Sequence, residues 1–481
     1  MMPNTSLLDI ATASNAFLHG ADGLVSSVGI DTRAIIPGGL FVALRGEHVD
    51  GHEFLSEAKN AGAVGAVVET LQAIDIPQIV VADAAVALGD IASYNRSLFK
   101  GAVVAITGSA GKTTCKNMLR SILAEVANVS ATQGNLNNEL GVPLTLLELD
   151  ETQQYAVIEM GAAKAGDIAY LTRIARPDIG VVTNISEAHL GRFGSLQITA
   201  QTKGEIYDSL PATGVAVINL DEPFASDWQA RVHARTDAPS MLSFSLSDLA
   251  ADIVASNVEA DLSGVRFTAS GDAISPGWSI EVSLQLLGKH NVANALGSIA
   301  VAKALHISDQ AIVAGLGKLN AESGRLQRRG ARNALTLIDD SYNANPAAMR
   351  AAIDTVVGNK QSSGHAHLKP VFLVLGDMAE LGPDAAELHH GVGEYAADQG
   401  IDCLLAWGMY ASSYVDGFMQ VVGDSPKRAD VFASQELLAD YLLSESCREA
   451  VVLVKGSRSA GMEQLVELLA TNRFDQVGVS C

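Results

Sequence analysis

Positive charge is scarce in this sequence: 32 Lys and Arg stand against 54 Asp and Glu in 481 residues, a formal net charge of −22. That balance excludes a general binder of nucleic acid or of an anionic membrane surface, because the field of the whole chain repels polyanions. An anionic ligand must therefore meet a local cationic site. Cysteine is scarce too. Cys115, Cys403, Cys447 and Cys481 are scattered without Cys-x-x-Cys spacing, which fits neither a zinc site nor a disulfide framework and reads as reduced thiols in a cytoplasmic protein. Cys115 reads as a small packed side chain. No run of about 18 apolar residues occurs, so no segment is expected to insert into a membrane. Asp9, His19 and Asp22 interrupt the first residues and no basic stretch precedes them, which argues against a secretory signal. No internal repeat and no low-complexity segment is evident.

What the chain has in quantity is apolar residues (48%) and glycine, of which there are 44. At roughly 100–200 residues per domain, two to four domains are expected. The densest signal is Val103-Val104-Ala105-Ile106-Thr107-Gly108-Ser109-Ala110-Gly111-Lys112-Thr113-Thr114. A buried strand runs into a glycine turn, and a helical pattern follows (Met118, Leu119, Ile122, Leu123, Val126). This is the context of a phosphate-binding loop: glycines let backbone N–H groups face phosphate oxygens, and the helix N-terminus adds its dipole. Lys112 would reach the β/γ-phosphates and the Thr113 hydroxyl would ligate magnesium. The general pattern also has an earlier glycine, at a position that is Ile106 here.

Before the loop, the strands Leu40–Leu44, Gly65–Glu69 and Gln78–Val81 and a helix over 52–61 predict a small α/β unit. Asp31 and Arg33, beside tight turns, could bind a ligand or form a solvated loop pair. After the loop, Thr132 to Pro143 is too rich in amides and glycine for a regular element and suits a polar-contact loop. Glu159 ends a strand, where a carboxylate faces the crevice of an open α/β sheet and could hold a metal ion. His189 lies just past another strand, although a loop histidine is more often a surface residue. Lys203, from spacing alone, reads as a solvated lysine. Residues 212–288 are β-rich. His290 opens a helix rich in small residues on which Asn291 and Asn294 share a face, Asn291 also being suited to an N-cap. Beyond a break near 318–324, four strand–helix units with polar strand ends (Asp339-Asp340, Asp377, Gly408, Lys455) predict a doubly wound sheet carrying a second set of site residues.

Taken together, Thr107–Thr114, Gly134–Pro143, Glu159-Met160-Gly161, Asn184–Ser195, Lys203-Gly204-Glu205, His290-Asn291…Asn294, Gly324-Arg325 and Asp340–Pro346 resemble, in order and over essentially the whole chain, the Mur ligase family of ATP-dependent amide-bond-forming enzymes. The resemblance implies an α/β protein of three domains. They are a small N-terminal α/β domain (1–98) holding the UDP end of a substrate, a central P-loop ATPase-like domain with a mostly parallel sheet (99–318), and a C-terminal Rossmann-like doubly wound domain (319–481). Gly-Asn-x-Asn-Asn-x-x-Gly-x-Pro, Ala-His-Leu-Gly-x-Phe-Gly-Ser and Asp-Ser-Tyr-Asn-Ala-Asn-Pro imply the reaction that joins D-alanyl-D-alanine to UDP-N-acetylmuramoyl-tripeptide through an acyl phosphate.

On the same resemblance, Ser27, Asp31, Thr32, Arg33, Asn135, Asn137, Asn138, Tyr342, Asn343 and Asn345 would bind substrates. Thr107 to Thr114, Asn291, Asn294, Arg325 and Asp340 would bind ATP, with Asn294 at the adenine, Asp340 at the ribose and Arg325 at the phosphates. Two Mg2+ ions are implied, one at Thr113 and one at Glu159 and His189. Several members carry a carbamylated lysine at the position of Lys203, whose new carboxylate supports the second ion. Lys112, Glu159, His189 and Lys203 would be the catalytic set. ATP would bind at a domain interface that closes during turnover, and the chain would act as a cytoplasmic monomer without nucleic acid. Two other readings stay open: a sister ligase adding a single amino acid, and a nucleotide-gated binding protein that performs no ligation.

Overall fold

The computed structural model describes residues 5–186, 195–362, 369–423, 425–444, 447 and 449–470. The chain divides into two compact units, one of residues 1–184, 197–244 and 297–315, the other of residues 185–196, 245–296 and 316–481. The architecture is α/β in three domains.

The first unit carries two sheets. In the N-terminal one, β1 (Phe17–His19), β2 (Ser27–Gly29), β3 (Gly39–Val42), β4 (Gly65–Val68) and β5 (Gln78–Val80) run in the order β1-β5-β4-β3-β2. All pairs are parallel except β1 on β5. β3 and β4 are buried along their whole length, which is why they read as apolar runs. The three-residue edge strands β1 and β2 have no such pattern, and sequence reading passes over them. The helix expected over 52–61 is a 3-10 turn, Gly51–Phe54, followed by a helix at Leu55–Asn60.

The second sheet is built from β6 (Ala102–Thr107), β7 (Val129–Ala131), β8 (Tyr155–Glu159), β9 (Ile179–Val182), β10 (Val215–Asn219) and β11 (Ser240–Ser245), neighbouring in the order β11-β10-β9-β6-β8-β7. Every pair is parallel. The chain fills the β8 side of β6 first and then crosses to β9. Strand order therefore reverses at β6, and in such sheets ligands bind beyond the carboxyl ends of the strands at that reversal. The helix after β6, Lys112–Leu123, buries Met118, Leu119, Ile122 and Leu123. It stops at Leu123, so Val126, expected on the same face, lies beyond the helix and is 48% exposed. Residues 141–147 form a helix with Pro143 in its first turn, where its missing N–H costs nothing; the polar loop is correspondingly shorter than expected.

In the second unit β12 (Ile253–Asp261), β13 (Gly264–Ser270) and β14 (Ser279–Leu284) form an antiparallel meander. β15 (Gln327–Gly330), β16 (Thr336–Asp340), β17 (Val371–Leu375), β18 (Cys403–Ala406), β19 (Arg428–Val431) and β20 (Val451–Lys455) make a six-stranded sheet ordered β15-β16-β20-β17-β18-β19, parallel but for β15. Ile338, Leu373 and Leu453 point into one apolar core and Leu337, Val374 and Val452 into another. That alternation covers both faces, as a doubly wound sheet requires. No helix among the described residues is long and apolar enough to cross a membrane.

Candidate active site

At the reversal point of the parallel sheet, the loop after β6 is fastened to the end of β9. Ser109 N donates to Asn184 O at 2.8 Å and Ala110 N to Asn184 Oδ1 at 2.9 Å. Thr183 Oγ1 donates to Ala110 O at 2.6 Å. Gly108 has φ 151° and lies so close that a Cβ there would overlap Thr183 Oγ1, while Gly111 caps the helix in the left-handed region at φ 78°. Lys112 Nζ folds back on the loop, donating to Gly108 O at 2.8 Å and Ser109 O at 3.2 Å. Thr107 Oγ1 donates to Met160 O at 2.8 Å, tying the loop to the segment after β8. Thr113 is buried beneath the loop and Thr114 is half-buried.

Glu159, at the end of β8, is only 2% exposed. Its amide donates to Thr132 Oγ1 at 2.9 Å, and its Oε1 accepts from Asn137 Nδ2 at 2.9 Å. Oε2 is buried and accepts no hydrogen bond among the described residues; Lys116 Nζ stands 3.9 Å away. A buried carboxylate oxygen without a donor is costly unless a cation takes it up, so Glu159 fits a metal ligand. Among the described residues no three His, Cys, Asp or Glu side chains form a metal cluster. His189, expected to share the cation, lies outside the described residues.

Lys203 is not the solvated lysine its spacing suggests. It is 4% exposed on the helix Leu196–Gly204, and burial, with the Lys112 charge second, lowers its amine from 10.5 to about 7. Glu205, two residues on, has a structural task. Its carboxylate accepts from Gly166 N at 3.0 Å and Ala169 N at 2.9 Å, at the start of the helix Asp167–Ala175.

In the polar loop Asn137 is committed to Glu159 and, through its carbonyl, to Gly161 N at 2.7 Å. Asn138 Oδ1 accepts from Gly141 N at 2.9 Å, while Asn135 is exposed. In the N-terminal sheet, Asp31 accepts from Arg33 N at 3.0 Å and grips Arg33 Nη2 at 2.7 Å on the surface. The side-chain bonds from Arg33 hold the Asp31 carboxyl down at about 2. Ser27 and Thr32 flank this turn half-buried.

The second unit holds the other expected residues. Asp340, at the end of β16, is buried; Lys455, at the end of neighbouring β20, donates to its Oδ2 at 2.6 Å and to Asn343 O at 2.9 Å. Leu326 N donates to Asp340 Oδ1 at 3.0 Å. Burial raises the Asp340 carboxyl, opposed by Lys455. Adjacent Asp339 accepts instead from Ser341 Oγ at 2.6 Å and Gly324 N at 3.2 Å. Arg325 stacks on Tyr342 at 4.2 Å. Asn345 Oδ1 accepts from Ala348 N at 2.8 Å, opening the helix Pro346–Ser362, and Asn343 Oδ1 accepts from Ala344 N at 2.9 Å. Asn294 Nδ2 donates to Asn291 Oδ1 at 3.0 Å, and Asn291 Nδ2 to Leu287 O at 2.8 Å, so the two asparagines act as a pair inside the helix rather than as an N-cap. Sequence reading missed Lys116 and Thr132 as neighbours of Glu159, although Lys116 follows Lys112 by four residues, the spacing of one helix face.

Three family models match the chain: Mur ligase family, catalytic domain, over residues 24–96; Mur ligase middle domain over 106–302; and Mur ligase, glutamate ligase domain, over 324–458. The chain is 39% identical to the UDP-N-acetylmuramoyl-tripeptide–D-alanyl-D-alanine ligase of Escherichia coli, covering 98% of this chain and 99% of that one. It is 34% identical to the ligase of the same name from Mycobacterium tuberculosis, over 93% of each. Among solved structures, MurF from Acinetobacter baumannii superposes with TM-score 0.84 at 33% identity, covering 95% of this chain and 97% of that one. The MurF ligase of Thermotoga maritima in complex with ADP gives 0.77 at 26%, over 92% and 96%. With its loop, strand-end carboxylate and buried lysine in this fold, the chain belongs to the Mur ligase family of ATP-dependent amide-bond-forming ligases.

Proposed function

We propose that this chain joins D-alanyl-D-alanine to the C-terminal carboxylate of UDP-N-acetylmuramoyl-tripeptide, converting ATP to ADP and phosphate and producing the UDP-linked pentapeptide precursor of peptidoglycan. The observation that carries this reading is the end-to-end likeness to ligases bearing that substrate name, 39% identical over 98% of the chain in the Escherichia coli case. Residues 1–98 would hold the UDP end, through Ser27, Asp31, Thr32 and Arg33. Residues 99–318 would bind ATP, and 319–481 would contribute Arg325, Asp340 and the Tyr342–Asn345 segment. Three buried cysteines without disulfides and a nucleotide-linked substrate support a cytoplasmic enzyme, and we take it to act as a monomer.

The first chemical step joins two anions: the tripeptide carboxylate attacks the γ-phosphorus of ATP, the bond to the bridging oxygen breaks, and an acyl phosphate and ADP result. Charge neutralisation and alignment supply most of the rate. Lys112 exchanges its two loop carbonyls for β/γ-phosphate oxygens, and the loop amides other than those of Ser109 and Ala110, which are bonded to Asn184, would cradle the same groups. Thr113 would hold one Mg2+, and Glu159, His189 and a carbamylated Lys203 the second. Bound there, the ions would screen the phosphate and carboxylate charges. Asn137 keeps Glu159 in one orientation. An amine near pH 7 in affinity for its proton is partly neutral, so Lys203 Nζ can attack CO2 and lose a proton to become a carbamate. Asn294 and Asn291 would read the adenine and Asp340 the ribose. In the second step the dipeptide amine attacks the acyl carbon and phosphate departs.

The test is product transfer. With ATP, UDP-N-acetylmuramoyl-tripeptide and 14C-labelled D-alanyl-D-alanine, label is expected in the UDP-linked product. Transfer of a single labelled amino acid instead, with none from the dipeptide, would move the chain to a sister ligase.

A further inference from the structure

We propose that Lys116 is a positioning residue that sets the strength of the divalent-cation site at Glu159, holding that site weak until an anionic substrate adds its own charge. The proposal rests on the reading of Glu159 as a cation ligand.

Lys116 and Glu159 have side chains only 5% and 3% exposed, and their charged ends stand 3.9 Å apart. Thr132 fixes that separation. Its carbonyl accepts from Lys116 Nζ at 2.8 Å and its hydroxyl accepts from the Glu159 amide at 2.9 Å, so one residue anchors both partners. Asn137 then takes Oε1 at 2.9 Å, and Oε2 is left without a hydrogen bond among the described residues. A lysine placed only to stabilise a buried carboxylate would donate directly to the open oxygen. Here the ammonium balances the charge yet leaves that oxygen available. A cation arriving at Oε2 gains the carboxylate but meets the ammonium a few ångströms away, in surroundings where like charges repel far more strongly than in water. Affinity for the bare ion is thereby reduced, and substrate phosphates restore it.

The experiment titrates the full chain with Mn2+, followed by electron paramagnetic resonance of the free ion, for the wild type, Lys116→Met, Lys116→Arg and Glu159→Gln. Lys116→Met is expected to bind Mn2+ at least tenfold more tightly than the wild type, and Lys116→Arg, which keeps the charge, within a few-fold of it. The sign is decisive: a lysine that merely supports the Thr132 loop predicts looser binding in Lys116→Met. Unchanged or weaker binding in that variant overturns the proposal. Lys116→Gln, titrated alongside, answers the same question if Lys116→Met does not fold. Glu159→Gln separates the two layers of the argument. Loss of Mn2+ there, with no gain in Lys116→Met, sinks the role of Lys116 alone, whereas unaltered binding in Glu159→Gln sinks the Glu159 site and the proposal with it.

Discussion

Replacing Lys455 by Met tests how the strand-end pair of the C-terminal sheet is held. Lys455 and Asp340 have side chains 4% and 12% exposed and meet at 2.6 Å. Methionine matches the length of lysine but removes the charge and the donor to Asn343 O. Removing one partner of a buried pair leaves an uncompensated charge, at a cost of about 3–5 kcal/mol. The loss falls on β16 and β20, which pair along Thr336–Asp340 and Val451–Lys455. Amide hydrogen exchange of peptides spanning these strands is therefore expected to accelerate by roughly 100-fold or more, since each 1.4 kcal/mol is about tenfold. The variant should also respond to pH in a defined direction. Asp340 already has its carboxyl raised above 3.8 by burial, and losing Lys455 raises it further. An acid with a folded-state value above its unfolded one favours the fold while protonated, so that contribution is lost as pH rises from about 4 through the folded-state value. Lys455→Met should thus recover protection on acidification, and pairing it with Asp340→Asn should recover much of it at pH 7. Exchange in β16 and β20 indistinguishable from wild type would refute the reasoning.

Three further outcomes follow from the same geometry. Gly108→Ala drives a methyl group onto Thr183 Oγ1 and should abolish ADP binding measured by calorimetry while sparing the unfolding transition to within about 2 kcal/mol. Glu205→Ala removes the acceptor of Gly166 N and Ala169 N; a loss of about 0.5–2 kcal/mol in urea unfolding is expected, with Mn2+ binding at Glu159 unchanged. With Lys203 lowered to about 7, 13C-bicarbonate should give a carbamate resonance that fades below pH 7 as the amine protonates and is missing in Lys203→Ala; a signal of equal size in that variant would exclude Lys203 as its source.

The parallel sheet and its loop were legible because β6, β8 and β9 are buried on both faces and read as apolar runs, each followed by an abrupt polar or glycine stretch. β19, with Arg428 and Asp430 along a mostly exposed strand, and the short edges β1 and β2 carry no such pattern and were invisible. Glu159 was found by its place at a strand end, a property of local sequence. The burial of Lys203 was not, since its helix has no apolar stripe and its surroundings come from segments distant in the chain. For the same reason local pattern does not distinguish Asp339 from Asp340, and only the resemblance singled out Asp340: their partners, Ser341 and Gly324 for one and Lys455 for the other, give them different tasks. Asn137 was expected at the substrate on the resemblance; its side-chain amide donates to Glu159, a contact that only the folded chain reveals.

The central claim is tested most directly by phosphate release from ATP with UDP-N-acetylmuramoyl-tripeptide present, comparing D-alanyl-D-alanine, single amino acids and no amine. Release is expected to require the dipeptide. Release that proceeds equally without tripeptide or amine would contradict it and leave a nucleotide switch in its place.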